Sequence, residues 1–265
     1  MPPRPSAAPS REQRHRRILA ALAGDPTVRI SALATEFGVS AETVRRDIEA
    51  LSRAGAVRRT YGGASVTHAA VQPVFQERER IAVAERARIG VAAAALVPDG
   101  AALMIDAGST TAHLARALAA RDFAGTVLTN SLAVAEACTA AAGIRILLCP
   151  GELYAAESAV YGAETQAFLA RFNADLAFLG ASGLTEEGIS DVESRAAWVK
   201  RAMLARAARR VLLIDAGKFG MAHLERVAGL EALTELVTDA APPPPIAAAL
   251  AREKVQVILA PPSRG

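Results

Sequence analysis

Cysteine is nearly missing: Cys138 and Cys149 are the two among 265 residues, with no CxxC pair and no histidine at ligand spacing. Neither a zinc ribbon nor a disulfide framework is encoded, and buried reduced thiols are expected. The histidines His15, His68, His113 and His223 are scattered and form no HExxH or comparable group. No metal and no cofactor are expected. Long apolar runs are also lacking, because Pro98, Asp99 and Asp106 interrupt the longest candidate, and the opening MPPRPSAAPS has no apolar signal core. These absences argue against a membrane span and a secretion signal and predict a cytoplasmic protein. A hydrophobic content of 52% supplies a sizeable core, and the length fits one small and one larger domain.

What is present is concentrated first in Ser40–Gly63, SAETVRRDIEALSRAGAVRRTYGG. Ser40 is a good helix cap, Val44, Ile48 and Leu51 recur as a buried stripe, and Gly55 supplies the stop. At 100° per residue, Glu42, Thr43, Arg46 and Arg53 lie opposite that stripe, with Arg45 at its flank. Before it, residues 30–37 form a shorter helix with Leu33 and Phe37 on one side, and Gly38-Val39 make the turn. A first helix over residues 11–23 turns Ile18, Leu19 and Leu22 inward. The result is an all-α helix-turn-helix head.

After Gly55, residues 56–61 alternate like a strand, Gly62-Gly63 permit a reversal, and residues 64–66 return as a wing. The partner this pattern fits is double-stranded DNA. Arg45 or Arg46 in the major groove can bond guanine bidentately. Arg58, Arg59 and Tyr61 on the wing are placed to hold phosphates, which sets register without reading sequence. Charge follows the same division: residues 1–66 hold 11 Arg and Lys against 6 Asp and Glu, and the remainder 19 against 21. Basicity sits where DNA contact is expected.

Residues 1–10 read as a loose tail, 11–66 as the DNA-binding head, 67–76 as a linker and 77–260 as a second domain. In that domain strand-like runs near 102–106, 126–129, 144–149, 175–180, 211–215, 235–239 and 254–259 alternate with alanine-rich helical runs. Such alternation predicts an α/β domain with a mainly parallel sheet covered on both faces. Pro242–Pro245 reads as a surface loop. Ligands of such sheets gather outside the carboxyl ends of the strands, and polar loops stand at those ends. They are Asp106, Gly108, Ser109, Thr110 and Thr111; then Thr129, Asn130 and Ser131; then Gly180, Ser182 and Gly183; then Asp215 and Lys218. Glycine, hydroxyls and free N–H groups at a helix start suit phosphate, and Lys218 adds a point charge. Each loop alone also fits ordinary capping; their convergence on one edge favours an anion site.

The segment VSAETVRRDIEALSRAGAVRRTYGGA resembles the DNA-binding signature of DeoR-type bacterial transcriptional regulators, a TxRRDxxxLxxxGxxxRxxGGA pattern, with Tyr61 where histidine is common. The loops are similar to that family's DxGST, TNS, FLGxxG and DxxKFG sensor motifs. Ala196 stands where the family often has glutamate before Lys200, and Glu193 or Asp191 is a candidate replacement. The resemblance implies a sensor similar to ribose-phosphate isomerase and a phosphorylated sugar as effector. It also implies a non-enzymatic regulator, a repressor of carbohydrate catabolism genes. A homo-oligomer, dimer or tetramer, is expected because one small head makes a limited interface. The rival is a sugar-phosphate isomerase or hydrolase with an accessory head, using Asp106, Asp215, Glu193 and Lys218 as acid and base.

Overall fold

The computed structural model describes residues 9–24, 27–53, 58–60, 63–65 and 74–262. Two compact units divide the chain, Met1–Pro73 and Val74–Gly265.

The first unit holds α1 (Arg11–Gly24), β1 (Thr27–Arg29), α2 (Ile30–Phe37), α3 (Ala41–Arg53), β2 (Arg58–Thr60) and β3 (Gly63–Ser65). Ser10 and Gln13 open α1 with a reciprocal capping box, the Ser10 N–H donating to Gln13 Oε1 at 2.9 Å and the Gln13 N–H to Ser10 Oγ at 3.3 Å. Gly38, at φ 64°, ends α2 in the left-handed region where glycine is favoured. Ser40 then caps α3, its Oγ accepting from the Thr43 N–H at 3.2 Å. Val44, Ile48 and Leu51 are buried with Ile18, Leu33 and Phe37 in one core, as their spacing predicts.

The head is not all-α. Its three strands form an antiparallel sheet in the order β1-β3-β2, and β1 was illegible because three residues carry no periodicity. Thr60 pairs with Gly63, so Gly63 belongs to the returning strand and not to the reversal. Gly55, Ala56, Val57, Tyr61, Gly62, Val66 and residues 67–73 lie outside the described residues, as do the side chains of Leu19, Leu22, Arg53, Arg58 and Arg59.

The second unit begins with α4 (Phe75–Arg78), so the last two residues of the expected linker are helical, and α5 (Val83–Ala94). Then come β4 (Ala102–Ile105), α6 (Ser109–Ala120), β5 (Gly125–Thr129), α7 (Leu132–Cys138) and β6 (Ile144–Leu148). A small antiparallel pair, β7 (Glu152–Tyr154) and β8 (Ala159–Tyr161), precedes α8 (Ala163–Leu169) and β9 (Ala174–Leu179). Next are β10 (Gly183–Thr185), β11 (Gly188–Asp191), α9 (Ser194–Leu204), β12 (Ala207–Leu213) and β13 (Glu225–Ala228). The chain closes with β14 (Glu235–Thr238), α10 (Pro244–Arg252) and β15 (Gln256–Leu259). Pro243 caps α10 and Pro244 occupies its first turn, a position that needs no N–H donor; the expected loop there is therefore a helix start.

All seven expected strands pair in parallel in one sheet, ordered β15-β14-β12-β9-β4-β5-β6. Alternate residues face opposite layers. Leu103, Ile105, Leu176, Phe178, Val211 and Leu213 pack with Ile89 of α5 and Leu114 and Leu118 of α6. Met104, Ala177, Leu179 and Leu212 pack with Val199 and Met203 of α9 and Leu250 of α10. The chain runs from β4 outward through β5 to β6, then returns to β9 on the other side of β4. That reversal is the topological switch point, the place where open α/β sheets bind ligands at the carboxyl ends of their strands.

Candidate functional site

On α3, the side chains of Arg45 and Arg46 are 56% and 78% exposed, and both flank Glu42. Arg45 Nη1 lies 3.3 Å from Glu42 Oε2 and Arg46 Nε 3.6 Å from Oε1. Exposed pairs of this kind contribute little, so either guanidinium can exchange its partner for another anion. Ser40 and Thr43 share a hydroxyl contact at 2.9 Å beside them.

The next residue turns the other way. Asp47 is 3% exposed and accepts from Arg14 Nε at 2.6 Å and Nη2 at 3.2 Å, with His15 Nε2 at 3.2 Å. The bond to Asp47 holds Arg14 above its ordinary pKa. Asp47 thus ties α1 to α3 and fixes the exposed face. The legible signal was an acid between two stripe positions, Val44 and Ile48, in a basic helix.

In the second unit, Asp106 follows β4 at the switch point. Its Oδ2 accepts from the Gly180 N–H at 3.3 Å, across from the end of β9, and pairs with Lys200 Nζ at 2.8 Å. Lys200 also lies 3.1 Å from Asp191 Oδ2. Burial alone would lower the lysine pKa, but Asp106 and Asp191 outweigh it and hold Lys200 charged above its ordinary range. Burial opposes the charge on Asp191 too, yet Lys200, the Glu193 N–H and the Ser182 hydroxyl keep it below the ordinary carboxylate range. At Asp106 burial prevails, making it the carboxyl of this trio that protonates first. Of the two candidates for the missing carboxylate, Asp191 faces Lys200, whereas Glu193 caps α9 and pairs with Arg195 at 3.0 Å.

A second buried cluster adjoins through the same loops. Arg86 of α5, 3% exposed, donates from Nε and Nη2 to Asp215 Oδ2 at 3.2 Å, from Nη1 to Ser109 Oγ at 3.0 Å, and to the Arg78 carbonyl. Arg78 in turn grips Glu157 at 2.9 and 2.5 Å. Lys218 donates to the Ala181 carbonyl at 2.6 Å. Burial, then Arg86 and Arg78, push its pKa down to about 8 against the pull of Asp215. Arginine at the head of the stripe Arg86, Ile89, Gly90, Ala93 is a charge at a core position; that spacing was the signal for Arg86.

The loops after β4, β9 and β12 are therefore joined by direct bonds. The loop after β5 is turned to the fold: Thr129 Oγ1 donates to the Ile105 carbonyl, Ser131 Oγ caps α7, and Asn130 Nδ2 donates to the Val160 carbonyl. Thr111 Oγ1 donates back to the Gly108 carbonyl, and Thr110 is buried. A side chain at Gly183 would meet the Met221 carbonyl, whereas one at Gly180 would meet nothing within 4 Å. Asp106 Oδ1 and Asn130 Oδ1 are buried acceptors without a hydrogen-bond partner among the described residues. A groove of about 880 Å3 among α4, α6 and α7 contains none of these loop residues.

Comparison with known proteins gives this arrangement its kin. Residues 14–70 match the DeoR-like helix-turn-helix domain and residues 81–240 the DeoR C terminal sensor domain. The chain belongs to the DeoR family. Among its relatives, the glycerol-3-phosphate regulon repressor of Escherichia coli (strain K12) is 29% identical, over 93% of this chain and 98% of that protein. The transcriptional repressor AccR of Agrobacterium fabrum is 31% identical over 87% of this chain and 90% of that protein. A ribose 5-phosphate isomerase A structure from Methanocaldococcus jannaschii is 18% identical with a TM-score of 0.37, covering 51% of this family member and 53% of that chain. Among the described residues, no helix is long and apolar enough to cross a membrane.

Proposed function

We propose that the chain is a DNA-binding transcriptional repressor of carbohydrate genes, with a phosphorylated sugar as its effector and a homo-oligomer as its working form. The observation that carries the sensor half is Lys218, a half-buried cation beside Arg86 with the Ala181 carbonyl as its hydrogen-bond partner. A phosphate placed against Lys218, Arg86 and the first N–H groups of α6 answers that charge. Asp106 Oδ1 and Asn130 Oδ1, acceptors without a donor among the described residues, suit sugar hydroxyls. Arg45, Arg46 and the wing residues Arg58, Arg59 and Tyr61 form the DNA-facing half, with α3 entering the major groove.

Effector must favour one arrangement of the paired heads for this control to operate. The enzymatic alternative has weaker support: Asp106 and Asp215 are engaged by Lys200 and Arg86, and Glu193 by Arg195. A panel of sugar phosphates tests the reading in two measurements. At least one member should raise the melting temperature of the protein and change its affinity for DNA from upstream of the genes it controls. Turnover of any member, or a panel without effect on DNA affinity, contradicts the sensor assignment.

A further inference from the structure

Between the starts of α1 and α3 lies a cleft of about 380 Å3 lined by Arg11, Arg14, Thr43, Arg46 and Asp47. We propose that this cleft seats a phosphodiester group of duplex DNA, with Arg11 and Arg46 as its two exposed cations. The inference rests on the reading of the first unit as a DNA-binding head, and it adds a contact from α1 to those expected of α3 and the wing.

The charge in the cleft is not self-cancelling. Asp47 is answered from within: Arg14 binds both of its oxygens, and His15 lies 3.2 Å from Oδ1. Its side chain is 4% exposed, so little of its charge faces an incoming anion. Arg11 stays 4.0 Å from Asp47 with its side chain 70% exposed, and Arg46 is 78% exposed at the opposite rim. Two guanidiniums and the Thr43 hydroxyl offer several donors to the two non-bridging oxygens of a phosphodiester. Position agrees with charge. A recognition helix in a major groove about 12 Å wide runs between two phosphate walls, and the preceding helices of such motifs cross the backbone. A contact of this kind adds affinity without sequence preference.

The test measures binding of the full chain to a mixed-sequence duplex by fluorescence anisotropy across a chloride series. Removing one phosphate contact lowers the slope of log affinity against log salt by about 0.9. Arg11→Ala should show that loss, and Arg11→Lys should recover most of it. Arg252→Ala removes an equal charge from a side chain 68% exposed in the sensor unit and should leave the slope unchanged. An Arg11→Ala slope equal to wild type overturns the cleft assignment while the head's DNA reading stands. A wild-type protein without salt-dependent DNA binding overturns both. Inorganic phosphate supplies the remaining arm: if it raises the melting temperature of wild type but not of Arg11→Ala, while the DNA slopes match, the cleft takes free phosphate and not the DNA backbone.

Discussion

Replacing Lys218 by methionine separates an anion cradle from a merely structural lysine. In the folded chain its pKa falls from an ordinary 10.5 to about 8, with burial as the leading cause. A difference of that size corresponds to about 3 kcal/mol of penalty for holding the charge in the fold. Below pH 8 both folded and unfolded chains carry the proton, and the penalty is present in full. Between pH 8 and 10.5 the folded chain sheds the proton first, so this group's penalty fades as pH rises. Lys218→Met should therefore stabilise the ligand-free sensor unit by about 1 to 3 kcal/mol at pH 7, allowing for partial solvent relief. It should also flatten the stability profile between pH 8 and 10.5.

Ligand binding should show the converse. A sugar phosphate is fully ionised above its second pKa of about 6, so any change in affinity above pH 7 reports the protein. If phosphate answers Lys218, wild-type affinity should fall roughly tenfold from pH 7 to 9 as the free protein loses its proton. The variant should bind more weakly and without that slope. Thermal denaturation and calorimetry between pH 7 and 10 provide both readouts. A variant less stable than wild type at pH 7, together with a wild-type affinity flat to pH 9, would refute the reasoning.

Asp47→Ala removes the carboxylate that joins α1 to α3 and leaves Arg14 without it; the head should lose about 2 to 4 kcal/mol, read as an earlier first transition in urea. An unmoved transition would show that the pair does not hold the helices. Arg45→Ala, at a side chain 56% exposed on α3 and outside the cleft, should cost about 1 to 3 kcal/mol in binding to the preferred DNA site and relax base preference at one position, measured across single-base variants of that site. Equal losses on every duplex would make Arg45 a phosphate contact. Ser131→Ala deletes the cap of α7, whose Oγ accepts from the Val134 N–H at 3.2 Å, and should cost about 1 kcal/mol in thermal stability with effector affinity unchanged. A selective loss of effector affinity would return Ser131 to the binding site.

Periodicity explains why so much of the architecture was legible. Val44, Ile48 and Leu51 bury one face of α3 whatever the detailed packing, and alternate apolar runs must lie in a covered sheet. The strands β1, β7, β8, β10, β11 and β13 lie outside the seven-stranded sheet and lack the strand-helix alternation that marks its members, so no spacing along the chain announces them. Ser131 matched an anion-loop pattern, yet its Oγ caps α7, whereas Asn130 bonds the Val160 carbonyl through Nδ2 and keeps Oδ1 without a partner among the described residues. A cap and an anion loop use the same residue types, and composition does not distinguish them.

The chain's order of residues by itself determined a capped basic helix, a wing and seven parallel strands with polar ends, because local spacing dictates which faces are buried. Only the tertiary structure decided which charges meet. Arg86 reaches Asp215 across 129 positions of chain, and Asp47 reaches Arg14 across 33. Coulombic pairing depends on distance in space and on burial, and neither is written in the spacing along the chain.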